Sequence, residues 1–338
     1  MFGIGMQGLI SQFLGWVLLF ALSPACSPGT DQVKPVAVTA PGRNVDSLAI
    51  WIAPQKQNSL VLLSEKSSGQ VMVFKADRNA TFVCRFGGLK HPNGVAVIQG
   101  AQFGGRARDL ALVTDRDGNA VYVYSVPDFS LIGKFGEDVR QPMGITAYRR
   151  RSDGATVAFT VSKRAKGDDK VIRFRLVEEN GKIAGIREIQ FGSEVTPGEE
   201  TVVVDGEQNL VFVADENAGE IKVYDTDGRW KAAFGKGHFQ AQVEGIALAK
   251  CGDRLLIIGT DQTSLTEFEV FELPDFKHVG TVRTTAQNTD GIALTEVVLP
   301  DYPLGLFVAH SDPYGTGGHH AEFYDLAQIL SSIGVSCR

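Results

Sequence analysis

A chain of 338 residues with 21% charged side chains and a formal net charge of −6 lacks the basic surface that a nucleic-acid partner demands. Its mild acidity suits cations or metal-complexed anions instead. Length alone would allow two domains, but a repeated strand pattern punctuated by many of the 38 glycines argues for one closed repeat domain.

Residues Leu9 to Leu22 form an apolar run that ends in Ser23-Pro24-Ala25-Cys26-Ser27. The run is too short for a membrane span and stops at a small-residue site, so residues 1–26 read as a secretory signal. Cys26 directly after Ala25 has the arrangement of a bacterial lipoprotein signal. The expected product is exported: a periplasmic, outer-membrane or cell-surface lipoprotein held by a lipid on Cys26, or a plainly cleaved and secreted protein. Apart from that lipid no membrane contact is expected.

Residues 27–338 read as one all-β domain. Residues 33–40 are a spare strand-like run, expected to complete the last repeat and close the ring by pairing with the C-terminal strands. Repeats then begin near 46, 94, 144, 200, 245 and 291, with glycines at 94, 144, 245 and 291 spaced at roughly 46 to 50 residues, a propeller-blade period. Val243-Glu244-Gly245-Ile246-Ala247-Leu248 and Thr289-Asp290-Gly291-Ile292-Ala293-Leu294 are near copies. Within a unit, Leu210 to Asp215 alternates, Glu216 to Gly219 turns, Ile221 to Tyr224 returns, and Trp230 to Phe234 closes; Leu110 to Phe135 repeats that order. Six radial blades of four antiparallel strands, with few exposed edges, follow. Residues Ile329 to Arg338 read as partly helical.

Cys84, Cys251 and Cys337 show no metal-ligand spacing. At most one disulfide can form among them, and buried apolar thiols are the expected state. His319-His320 read as loop residues.

The acid-glycine steps open the inner strands, so Asp46, Glu200, Glu244 and Asp290 are expected to converge on the channel mouth. Carboxylates held close repel unless a hard cation neutralises them, and oxygen ligation suits Ca²⁺. Lys66, Arg116 and Lys163 each follow the second strand of their unit, placing three cations on the same rim as charge-assisted contacts for phosphate oxygens.

From Asp46 to about Asp312 the chain resembles the β-propeller phytases, six-bladed calcium-dependent phosphatases that act on inositol hexakisphosphate. The resemblance rests on Asp46-Ser47-Leu48-Ala49-Ile50-Trp51, on Asp109 to Arg116, on Glu200 to Asp205 with Leu210 to Glu216, on Val243-Glu244-Gly245, on Thr289 to Ile292 and on Leu306 to Ala309. It implies that Lys66, Arg116 and Lys163 bind the phosphates as catalytic residues. It likewise implies that Asp46, Glu200, Asp215, Glu216, Glu244 and Asp290 serve as calcium or water ligands. Ser47, Met143, Thr201, Gln242 and Asn288 depart from the family pattern. The expected activity is hydrolysis of a small inositol phosphate by metal-activated water, with no side-chain nucleophile, in a monomer. Sugar-lactone turnover in an NHL-like channel, or a non-catalytic surface-binding propeller, are the competing readings.

Overall fold

This computed structural model describes residues 32–165, 167–313 and 318–337, and the side chains of Asp168, Glu199 and Glu200 fall outside the described set. The secretory signal, Cys26 and the carboxylate of Glu200 therefore lie outside the described residues. A two-residue strand β1 (Ala37–Val38) precedes the repeats. The first repeat holds β2 (Val45–Trp51), β3 (Leu60–Glu65), β4 (Gln70–Lys75) and β5 (Phe82–Gly87). The second holds β6 (Pro92–Phe103), β7 (Arg106–Asp115), β8 (Ala120–Val126) and β9 (Leu131–Phe135), the third β10 (Pro142–Arg149), β11 (Thr156–Ser162), β12 (Val171–Glu179) and β13 (Lys182–Phe191). The fourth holds β14 (Glu199–Asp205), β15 (Leu210–Asp215), β16 (Glu220–Asp225) and β17 (Trp230–Phe234), the fifth β18 (Ile246–Cys251), β19 (Arg254–Asp261), β20 (Glu267–Leu273) and β21 (Lys277–Arg283). Last come β22 (Ile292–Thr295), β23 (Leu306–Ser311), β24 (His320–Asp325) and a helix α1 (Leu326–Ser331).

These strands make a propeller-like array of small antiparallel sheets, but the sheets number five rather than six. Four are four-stranded, and the second and third repeats share one eight-stranded sheet through β9 and β13. A single parallel bridge, Gly133 to Ile183, makes that junction. A Cβ on Gly133 would lie 2.0 Å from the Ile183 carbonyl oxygen, so a glycine lets the two outer edges meet. The first strands pack in the cyclic order β2, β6, β10, β14, β18, β22 and back to β2. β1 supplies the fourth strand beside β24, with Val36 N–H donating to the Phe323 carbonyl (2.7 Å) and Thr39 N–H to that of Ala321 (3.0 Å).

The core lies between sheets, which explains the nearly continuous apolar runs of the second strands. On β3, Val61 and Leu63 face the last repeat, while Leu60 and Leu62 face the second. That is strand alternation with both faces buried. Burying a Val, Leu or Phe contributes about 1.5–3 kcal/mol, against about 1–2 kcal/mol lost in ordering each backbone residue, so a strand buried on both faces wins where a half-exposed one barely breaks even.

The expectation of buried thiols is corrected at the C-terminus, where Cys251 and Cys337 form a disulfide while Cys84 stays free. Asp325 caps α1 by accepting from Ala327 N–H (3.0 Å), and Ile329 and Leu330 enter the apolar cluster of the fifth and last repeats. The helix thereby turns the tail back toward Cys251. Cys337→Ser is expected to destabilise the protein by about 2–4 kcal/mol, the loss from opening a long cross-linked loop, and chemical denaturation reads it directly. Among the described residues no helix is long and apolar enough to cross a membrane.

Candidate active site at the rim of the ring

Three consecutive residues at the end of each second strand build the rim. The first fastens the neighbouring inner strand: Ser64 Oγ accepts from Ser47 N–H (3.0 Å), Thr114 Oγ1 from Gly94 N–H (2.7 Å), and Thr260 Oγ1 from Gly245 N–H (2.8 Å). The second caps the incoming loop. Glu65 accepts from Arg43 N–H (2.6 Å), Asp115 from Lys90 and His91 N–H (3.0 and 2.8 Å), and Asp261 from Gln240 and Ala241 N–H (2.9 and 2.6 Å). The third is the rim residue itself, its N–H anchored to the same loop: Lys66 to Asn44 O, Arg116 to His91 O, Lys163 to Gln141 O, Gln262 to Gln242 O and Asp312 to Gln287 O. Glu216 holds the same sequence position after Asp215. Going round the chain, the rim positions read Lys66, Arg116, Lys163, Glu216, Gln262, Asp312.

Asp215 is a capping residue by this geometry. It is fully buried, accepting from Thr196 N–H (2.9 Å), the Thr196 hydroxyl and Ala218 N–H (3.2 Å), with Lys222 Nζ at 3.6 Å. Its oxygens are turned into the loop, apart from the rim residues.

The inner-strand steps sit against one another. A Cβ on Gly245 would lie 2.7 Å from the Asp290 carbonyl oxygen, one on Gly291 2.5 Å from that of Asp46, and one on Gly94 2.4 Å from that of Met143. Steps Glu244-Gly245, Asp290-Gly291 and Asp46-Ser47 are thus successive neighbours, and Asn93 Nδ2 continues the series by donating to Asp46 Oδ2 (2.8 Å). Ser47 Oγ accepts a bond from Val95 N–H (3.3 Å). Met143 is buried in the core between the third and fourth repeats, and Asn288 donates to the Asp312 carbonyl (2.9 Å).

Lys66 lies between two of the acids. Its ammonium is paired with Asp46 and stands 3.9 Å from Asp290 Oδ2. Burial, reinforced by the charge of Asp312, raises the Asp290 carboxyl above the usual carboxylate range, while Lys66 and His319 pull it back. Gln262 Nε2 donates to its other oxygen. Arg116 points its Nε at Asp117 (3.3 Å) and one terminal nitrogen at His91 Nδ1 (3.5 Å). Burial and the Arg116 charge hold His91 below the ordinary imidazole range. Glu244 is buried, with its N–H on Thr260 Oγ1 (3.0 Å).

His310 escaped sequence reasoning, although the repeat marks it: it stands where other units carry Ser64, Thr114 and Thr260. Asp290 N–H donates to its Nδ1 (3.1 Å), so the ring proton sits on Nε2, 3.0 Å from His319 Nδ1. That leaves the His319 proton on its own Nε2, 3.5 Å from Asp312 Oδ1. His319, expected to be a loop residue, is therefore part of the cluster. Burial, then the neighbouring His319 and Lys66, push His310 well below the ordinary imidazole value. A folded-state value below the unfolded one means the unfolded chain binds more protons. The stability that rests on His310 is accordingly expected to be full above about pH 6.5 and to fall as pH drops below it. His310→Asn should flatten that fall in thermal melts.

Asp46, Glu244 and Asp290 do not close into one metal-sized nest. Among the described residues, the groups whose donor atoms lie within 4.8 Å of one another are His238, Glu269 and His278, and Asp261, Glu267 and Glu269.

The family model described as Phytase matches residues 28–323. A comparison with curated proteins finds no match. Among solved structures, one titled "Crystal structure of BBS1N in complex with ARL6DN, soaked with lead" is similar at TM-score 0.52 and 10% identity, covering 83% of this chain and 79% of that one. At that identity the likeness concerns the fold alone.

Proposed function

The chain belongs to the phytase family, and on that premise we propose that it is a calcium-dependent phosphomonoester hydrolase that releases phosphate from an inositol phosphate at this rim. The observation that carries the reading is the division of the rim. Lys66, Arg116 and Lys163 occupy equivalent positions on three consecutive repeats, and Glu216, Gln262 and Asp312 occupy them on the next three. One half suits phosphate oxygens, the other a cation, and an ester bound across both would meet each.

The carboxylates and the amide of the acidic half offer oxygens, which fits a hard divalent ion, and burial raises the Asp290 carboxyl, a cost that a bound cation would offset. Asp290 and Asp312 would hold calcium, with Glu244, Glu216, Gln262 and Asp46 as the remaining oxygen-bearing side chains of the rim. When bound, calcium supplies Lewis-acid polarisation of a phosphoryl oxygen. Arg116 offers a planar fork to two phosphate oxygens, and Lys66 exchanges its carboxylate partners for a third. At the base of the acidic half His310 Nε2–H is directed at His319 Nδ1. The gain of each contact is largest when charge builds on the transferring group, as catalysis requires.

In this proposal the eight-stranded sheet is two blades joined at their outer edges, giving six blades in all. Export belongs to the same proposal, supported by the Cys251–Cys337 disulfide, which suits an oxidising compartment. The test is a substrate panel of phytate, an aryl phosphate and a sugar lactone, with calcium and with chelator. Phosphate release that needs calcium is expected, whereas lactone turnover without phosphate release would refute the reading.

A further inference from the structure

We propose that His238, Glu269 and His278 form a second metal site, selective for a borderline divalent transition metal such as Zn²⁺, on the outer half of the fifth repeat. His238 comes from the turn after β17, Glu269 from β20 and His278 from the start of β21. One donor atom from each lies within 4.8 Å of the others. A register shift between Val270 and Phe271 interrupts the β20–β21 ladder, and such bulges re-aim side chains. It leaves His278 Nε2 2.5 Å from Glu269 Oε2. Thr281 Oγ1 holds both oxygens of that carboxylate, at 3.2 and 3.0 Å, fixing its plane as ligand-orienting partners do. The His238 ring stacks on His278 with centroids 4.1 Å apart, and Phe271 braces both rings from the edge at 5.5 and 5.2 Å.

Charge favours an ion here. Glu269 is only 3% exposed, and Asp261 and Glu267 come within the same 4.8 Å reach of it. Against these three carboxylates stands the guanidinium of Arg283, 2.7 Å from Glu267. Asp261 also accepts from Gln240 and Ala241, so the turn that carries His238 is tied to the same spot. Two imidazoles and one carboxylate, with His238 exposed to solvent, make a three-ligand site with an open position. Nitrogen donors select zinc and its neighbours over calcium or magnesium. The site shares no residue with the calcium-binding half of the rim. A bound ion would pin the turn of residues 235–240 to the outer strands.

The experiment is calorimetric titration of Zn²⁺ into the purified protein in saturating calcium, together with thermal melts. One zinc per chain is expected, undiminished by calcium, with a rise in Tm. His238→Ala and His278→Ala should each weaken binding by at least about 100-fold and abolish the Tm rise. His238 is exposed, so its variant keeps the fold and circular dichroism verifies this. Absence of zinc binding in the parent protein, or undiminished binding in both variants, would overturn the proposal.

Discussion

Lys66→Ala, assayed with saturating calcium, is expected to lower kcat/KM for phytate by about 10²–10³-fold, the usual cost of removing one fixed donor from a developing oxyanion. The geometry explains why this position outweighs the other two cations. Lys66 is bracketed by Asp46 and Asp290, carboxylates from opposite ends of the chain, so its ammonium is held at the seam where the first and last repeats meet. On the proposed reading a phosphate arriving there would find a cation already oriented and would exchange for its carboxylates. Lys66→Arg should recover part of the loss, since charge is kept while the longer planar group no longer fits between two carboxylates. The KM-against-kcat split is diagnostic: a residue that only holds the ring together would lower the amount of folded enzyme and leave the kinetic constants per folded molecule unchanged.

Gly291→Val is expected to destabilise the protein by about 4 kcal/mol or more, in the range reserved for a side chain with nowhere to go. The nearest atoms to a Cβ there are all backbone: Asp46 O at 2.5 Å, Ser47 Cα at 2.9 Å and Asp46 C at 3.3 Å. No rotamer change relieves such a clash, so the first and last repeats must separate. Urea unfolding measures the loss. By contrast, the same change at Gly252, where a Cβ meets nothing within 4 Å but φ is +62°, should cost about 1–3 kcal/mol in backbone strain.

What the amino-acid order reveals differs by position for physical reasons. The acid-glycine steps are legible because close packing of neighbouring inner strands admits no Cβ, so glycine recurs at the repeat interval. Lys66, Arg116 and Lys163 are legible because they share both position and charge. Gln262 and Asp312 share the position but not the charge, and only the backbone bonds of the rim reveal them. Asp215 misleads because an acid ending a strand can serve a loop as readily as a metal, and residue type alone does not distinguish the two. The Cys251–Cys337 pair is hidden by its sequence separation of 86, bridged only once α1 folds the tail back. The fusion of two repeats into eight strands depends on one glycine, Gly133, in an outer strand whose sequence otherwise resembles its counterparts.

On the proposed reading, the cationic and acidic halves of one rim hold a phosphate and a divalent ion side by side. A crystal structure grown with calcium and sulfate as a phosphate mimic tests it most directly. Calcium is expected against Asp290 and Asp312, and the oxyanion within hydrogen-bonding reach of Lys66 and Arg116. Lys66 still paired with Asp46, with neither ion on the rim, would contradict it.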